Sequence, residues 1–154
     1  MKLNLITIGR DEAHLDALVQ EYLKQLNGFV PSKWIKLNPI KAGKLSAAQL
    51  KTLTTQKLLD HLPGAGITIT LDERGDLWNS MELAKKLARW QNSGVSSLNF
   101  LVGGADGFDL EMIKSFTHWS LSPLTLPHRL VPLIVAEQLY RAHTILAGHP
   151  YHRA

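Results

Sequence analysis

His128, Arg141, Tyr151, His152 and Arg153 are the residue types that can act on a nucleobase. An arginine forks onto phosphate, Tyr and His rings stack on an unpaired base, and an imidazole exchanges protons near neutral pH. Four of the five gather late in the chain. An amphipathic helix bearing Glu137, Tyr140 and Arg141 leads to the polar aromatic tail His149-Pro-Tyr-His-Arg153. That tail is expected to reach another molecule; the plainer reading is a frayed terminus.

Three further segments could hold a ligand. In Leu121-Ser-Pro-Leu-Thr-Leu-Pro-His128, Pro123 and Pro127 each fix φ near −65° and push Ser122 and Leu126 toward extended geometry. The segment reads as a stiff strand over Leu124–Leu126. Its free amides at Leu124, Thr125, Leu126 and His128 suit the edge of a purine, with apolar side chains against the ring. An edge strand that happens to contain prolines is the plainer alternative.

Gly103, Gly104 and Gly107 follow an apolar run and precede a short helical turn, where bare backbone lets a ligand approach. The spacing G-G-x-x-G does not meet the dinucleotide fingerprint, and a simple tight turn explains it equally well. Asp72-Glu-Arg-Gly75 reads as a loop that closes over a ligand, or as a solvated turn. His143, His149 and His152 are irregularly spaced with no carboxylate set among them, so no metal is expected.

The elements that must position these segments alternate. Residues 3–8, 33–38, 67–72 and 98–102 have strand patterning, and Leu124–Leu126 is expected to be the fifth strand. Between them, Leu15, Leu18, Val19, Tyr22, Leu23 and Leu26 fall on one helical stripe. Ser46/Gln49 and Asn79/Glu82 have the form of capping boxes, opening helices to about His61 and Asn92. A turn near Asp109–Lys114 and a last helix from about His128 to Leu146 complete the order β-α-β-α-β-α-β-α-β-α. That order predicts an α/β fold, a parallel sheet with helices on both faces and a ligand crevice at the carboxyl ends of its strands. The three segments all lie at such ends.

The 154 residues suit one domain spanning 1–154. With 45% hydrophobic and 19% charged residues the chain is of ordinary globular composition, and without cysteine it has no thiol chemistry. The opening Met1–Gly9 is too short an apolar run for a signal peptide, and no run approaches the length that spans a bilayer. A cytoplasmic protein with no membrane partner is expected. The net charge of +4 favours a polyanionic partner.

Several ordered blocks resemble one family. They are Met1-Lys-Leu…Ile8-Gly9, Leu71-Asp-Glu-Arg-Gly75, Leu101-Val-Gly-Gly104…Gly107, Ser120-Leu-Ser…Leu124-Thr-Leu-Pro-His128, Glu137-Gln-Leu-Tyr-Arg-Ala142 and His149-Pro-Tyr-His-Arg153. Together, over essentially the whole length, they resemble the small SPOUT-class methyltransferases that act on N3 of a pseudouridine in large-subunit (23S) ribosomal RNA. The resemblance implies a Rossmann-like sheet with a C-terminal trefoil knot, a topology otherwise rare. It implies S-adenosylmethionine at Leu71, Gly103, Gly104 and the run Pro123, Leu124, Thr125, Leu126, Pro127 and His128. It also implies a homodimer in which the tail of one subunit completes the site of the other on the ribosome.

His128, Arg141, Tyr151, His152 and Arg153 would then surround the target base, with the general base unassigned among them. One departure stands out: Pro132 replaces an arginine usual in the family, with Arg129 nearby as a substitute charge. Two other classes remain open from residues alone, a non-enzymatic RNA-binding module and a doubly wound nucleotide-binding enzyme.

Overall fold

The computed structural model describes residues 1–154. The elements are β1 (Lys2–Ile8), α1 (Ala13–Leu26), β2 (Ser32–Leu37), α2 (Ala47–Asp60), β3 (Ile67–Leu77) and α3 (Ser80–Asn92), followed by β4 (Ser97–Val102), α4 (Leu110–Ile113), β5 (Thr117–Ser120) and α5 (Val131–Leu146). All strands pair in parallel, in the order β2-β1-β4-β3-β5.

Strand alternation divides the core. Leu3 and Leu5 of β1 and Leu98, Phe100 and Val102 of β4 turn to the face covered by α1, α3 and α5. Ile6, Ile8 and Leu101 turn to the opposite face, where Leu58 of α2 and Ile113 of α4 meet them. On β1 and β4 the two central strands are buried throughout, apart from Lys2. Their one polar cross-strand contact there, Asn4 Nδ2 donating to Asn99 Oδ1 at 2.8 Å, is itself buried.

Both capping boxes form. Ser46 Oγ accepts from Gln49 N at 3.1 Å while Gln49 Oε1 accepts from Ser46 N at 2.9 Å. Asn79 and Glu82 do the same at 2.9 and 2.7 Å. Each box satisfies two amides that a helix start otherwise leaves unpaired. In α1 the apolar stripe holds except at Leu18, which is 42% exposed. Pro132 is at the start of α5, where no intrahelical donor is needed, so the substitution costs the helix nothing.

Two sequence expectations are corrected. The fifth strand is Thr117–Ser120, and Leu124–Leu126 is irregular. A ladder needs successive donors, and prolines at 123 and 127 bracket that segment. The third strand does not end at Asp72. It bulges out at Asp72–Gly75 and rejoins the sheet, so that Trp119 of β5 is opposite both Leu71 and Asp76. Trp78, just past the return, stacks on Trp119 with centroids 5.2 Å apart and planes 12° apart.

Gly75 makes the return possible. A Cβ there would lie 2.5 Å from the His118 carbonyl carbon and 2.7 Å from Trp119 N, backbone atoms that cannot yield. Gly75→Ala is therefore expected to lose about 1–3 kcal/mol, a melting drop of roughly 2–4 °C per kcal/mol. Gly64→Ala, where a Cβ meets nothing within 4 Å, serves as control. Equal melting of the two variants would contradict this account of the bulge.

Candidate active site

The carboxyl ends of β3, β4 and β5 enclose a cleft of about 380 Å³. β3 contributes Leu71 and the bulged Asp72–Arg74; β4 contributes Val102 and the turn Gly103–Gly107. From β5 come Trp119 and Ser120, followed by the irregular segment to His128. Of the residues predicted to bind cofactor, Leu71, Gly103, Gly104, Leu124, Thr125, Leu126 and His128 line the cleft. Pro123 and Pro127 do not.

Local chemistry explains the shape. Ser122 Oγ accepts from Leu124 N at 2.9 Å, and Ser120 Oγ donates to the Ser122 carbonyl at 3.0 Å, so two serines turn the chain out of the sheet. The amides of Thr125, Leu126 and His128 make no hydrogen bond within the chain. Backbone donors left open beside a cleft are where a ligand's acceptors belong. The glycine turn closes with Gly107 N donating to Gly104 O at 3.0 Å, and Gly107 has φ of +79°, which an L side chain adopts at a cost. Behind Gly103 the Phe108 ring stands 3.2 Å from where a Cβ would be.

The bulge is held by a fork. Arg74 Nε and Nη2 reach the two Asp72 oxygens at 3.0 and 3.2 Å, and Arg74 N donates to Oδ1 at 3.0 Å. The Asp72 side chain is only 7% exposed and Arg74 57%. Burial alone would raise the carboxyl, but the Arg74 hydrogen bonds and charge outweigh it, and the Asp72 pKa lies below its ordinary value. A lowered folded-state pKa stabilises the fold above the unfolded value near 3.8, and that stabilisation is lost as pH falls through the folded value. Asp72→Asn is thus expected to flatten the acid limb of stability against pH. An unchanged limb in acid titrations followed by circular dichroism would refute the fork's role.

A second group of polar residues lies on α5 and the tail. Glu137 Oε1 accepts from Arg141 Nη2 at 2.6 Å, from Arg141 Nε at 3.0 Å and from Tyr151 Oη at 3.0 Å. Arg141 Nη1 faces His152 Nδ1 at 3.2 Å, and the guanidinium lies 4.8 Å from the Tyr151 ring centroid. Tyr151 also packs edge-on against Tyr140 at 4.7 Å. The tail is therefore folded onto its own helix and not frayed. Burial, then the Tyr22 hydroxyl and the Glu137 carboxylate, push the Tyr151 phenol far above its usual pKa, so it stays protonated and donates.

The structure thus places His128 apart from Arg141, Tyr151 and His152, which meet one another beside α5. His128 stands at the cleft; Arg141, Tyr151, His152 and Arg153 do not line it. Glu137 is the anchor that residue types alone did not reveal, although its i, i+4 spacing to Arg141 was a signal. Trp119 and Ser120 were missed as lining residues because β5 was placed too late. No group of three or more His, Asp or Glu side chains is arranged to hold a metal ion. No helix is long and apolar enough to cross a membrane.

Comparison with known proteins fits this arrangement. The family model described as "Predicted SPOUT methyltransferase" matches residues 1–152. A "Ribosomal RNA large subunit methyltransferase H" from Xanthomonas axonopodis pv. citri (strain 306) is 41% identical over 157 residues, covering 100% of both chains. The protein of the same name from Xylella fastidiosa (strain 9a5c) is 43% identical over 135 residues, covering 86% of this chain and 85% of that one. With three strand ends forming one cleft and a family match along nearly its whole length, this chain belongs to the SPOUT methyltransferases.

Proposed function

We propose that this protein methylates N3 of a pseudouridine in large-subunit ribosomal RNA, acting on the assembled ribosome in the cytoplasm as a knotted, single-domain homodimer. It is a methyltransferase that uses S-adenosylmethionine, as its family does. The observation that carries the substrate is full-length similarity to ribosomal RNA large subunit methyltransferases. The knot is supported by the family match along residues 1–152. The dimer is supported by the absence of the tail residues from the lining of the chain's own cleft. It is further supported by the exposed Leu18, Phe29 and Leu146 on and beside α1 and α5, the helices that carry the tail cluster.

The cleft suits the cofactor. Open amides at Thr125, Leu126 and His128 match the acceptors of an adenine edge, and Leu71, Leu126 and Val131 offer apolar surface for the ring. When bound, S-adenosylmethionine supplies a methyl group on a sulfonium, already activated for in-line displacement. The chain's residues must orient the base and take its N3 proton; orientation alone supplies on the order of 7–11 kcal/mol.

Arg141, on the partner's α5 beside its tail, would stand by the anion that develops as the imide loses its proton. Tyr151, whose one proton is engaged by Glu137, would present its ring face to the base and hold the Glu137–Arg141 pair in place. His152 accepts from Arg141 at Nδ1, which puts its proton on Nε2 and makes it a donor as well. His128 remains. Its ring lines the cleft and has no hydrogen-bond partner in the chain, so it is assigned as the proton acceptor.

Mass-spectrometric mapping of ribosomal RNA from cells with and without the protein tests the substrate. Methylation rates on naked RNA, isolated subunits and assembled ribosomes test the setting. Assembled ribosomes are expected to be the best substrate, and equal rates on all three would reject that part.

A further inference from the structure

A second cleft of about 370 Å³ adjoins the first, sharing Lys51, His128 and the turn Gly104–Gly107 with it. Three cations from three elements converge on it. Arg10 follows β1, where Gly9 N still donates to Leu37 O at 3.1 Å and so extends the ladder to the arginine's doorstep. Lys51 projects from the first turns of α2. Arg129 follows the irregular segment that lines the cofactor cleft.

None of these three cations is engaged by an ion pair within the chain. Two carboxylates also border the cleft. Asp11 is already bound by Lys36 at 3.0 Å, which leaves Asp106 alone against three free positive groups. A concave site with excess positive charge attracts a phosphate, and low-dielectric walls concentrate that attraction. Its position adds specificity. A nucleotide whose base enters the cofactor cleft beside His128 has its own backbone one step away, on the side where this cavity opens.

We infer that this second cleft seats a phosphodiester of the RNA strand beside the target nucleotide, gripped by Arg10, Lys51 and Arg129. The inference rests on the RNA-methylating reading above. It also gives Arg129 a task that accounts for the tolerance of Pro132: the positive charge is supplied from the approach to α5 and not from its first turn. Arg10 and Lys51 are positioning residues; neither is assigned to the reacting atoms.

The test uses the full chain and three measurements on wild type, Arg10→Gln/Arg129→Gln and Lys51→Gln. Fluorescence anisotropy with a pseudouridine-containing RNA stem-loop reads RNA affinity across a salt series. Calorimetry reads S-adenosylmethionine affinity, and steady-state assays on ribosomes read KM and kcat. Thermal melting confirms that the variants fold; all three residues contact solvent. The double variant is expected to bind RNA roughly 10-fold to 100-fold more weakly, with the slope of log affinity against log salt reduced by about 0.7 per lost contact. KM for ribosomes should rise in step, while cofactor affinity stays within twofold.

Unchanged RNA affinity would overturn the inference. So would a parallel loss of cofactor affinity, which would make this cleft the seat of the cofactor's own carboxylate. Should wild type fail to methylate ribosomes, the substrate reading fails, and the stem-loop measurement still decides the subsite.

Discussion

Deletion of Tyr151–Ala154 is expected to abolish methyl transfer while leaving affinity for S-adenosylmethionine within a few-fold of wild type. The physical basis is the separation of two groups in one chain. The cleft is built from β3, β4 and β5 and the segment to His128, with no contribution from the tail. The tail instead holds Tyr151 and His152 against Arg141 and Glu137. Removing it leaves the cofactor's surroundings intact and takes away the groups that would face the base. It also removes the Tyr151 ring and the His152 imidazole from Arg141 and the Tyr151 hydroxyl from Glu137, so Arg141 loses two neighbours that fix its orientation. Calorimetry with the cofactor and a methylation assay on ribosomes measure the two halves separately. Full activity in the truncated chain would end the tail's assignment, and lost cofactor binding would show that the separation is false.

His128→Gln is the second large effect. A glutamine keeps the backbone amide beside the cleft and cannot accept a proton at neutral pH, so kcat is expected to fall roughly 10²–10⁴-fold with cofactor affinity little changed. Tyr151→Phe is the contrast. It keeps the ring and removes only the hydroxyl that Glu137 accepts from, so it should lower kcat by a smaller factor. A His128→Gln enzyme with unaltered kcat would move the proton-accepting role elsewhere.

Much of this architecture was legible in residue pattern because the relevant physics is local. The capping boxes at Ser46 and Asn79 need only four residues each, and both formed as read. The apolar runs of β1 and β4 stand out because a central parallel strand is buried on both faces. The strand ends carrying Leu71, Gly103 and Leu124–His128 were recognisable by glycine and proline placement. They do meet in one cleft.

What could not be read depends on contacts distant in sequence. Thr117–Ser120 is a strand because β3 offers it a ladder, and four residues with His and Ser carry little strand signal of their own. The return of β3 after its bulge depends on Gly75 fitting against the backbone of His118 and on Trp78 stacking with Trp119. Leu18 falls on the apolar stripe of α1 yet remains exposed, as a surface kept for another subunit would be. Glu137 looked like one polar residue of an amphipathic helix; only the folded tail shows that it binds both Arg141 and Tyr151.

Mixing two inactive variants tests the account most directly. One carries Leu126→Trp, which fills the cofactor cleft and keeps the tail; the other lacks Tyr151–Ala154 and keeps the cleft. If the cleft of one subunit works with the tail of its neighbour, refolding or co-expressing the two restores methylation in mixed dimers, each with one complete site. If every site draws cleft and tail from the same chain, the mixture stays inactive however long it is equilibrated, and the composite site proposed for this protein is wrong.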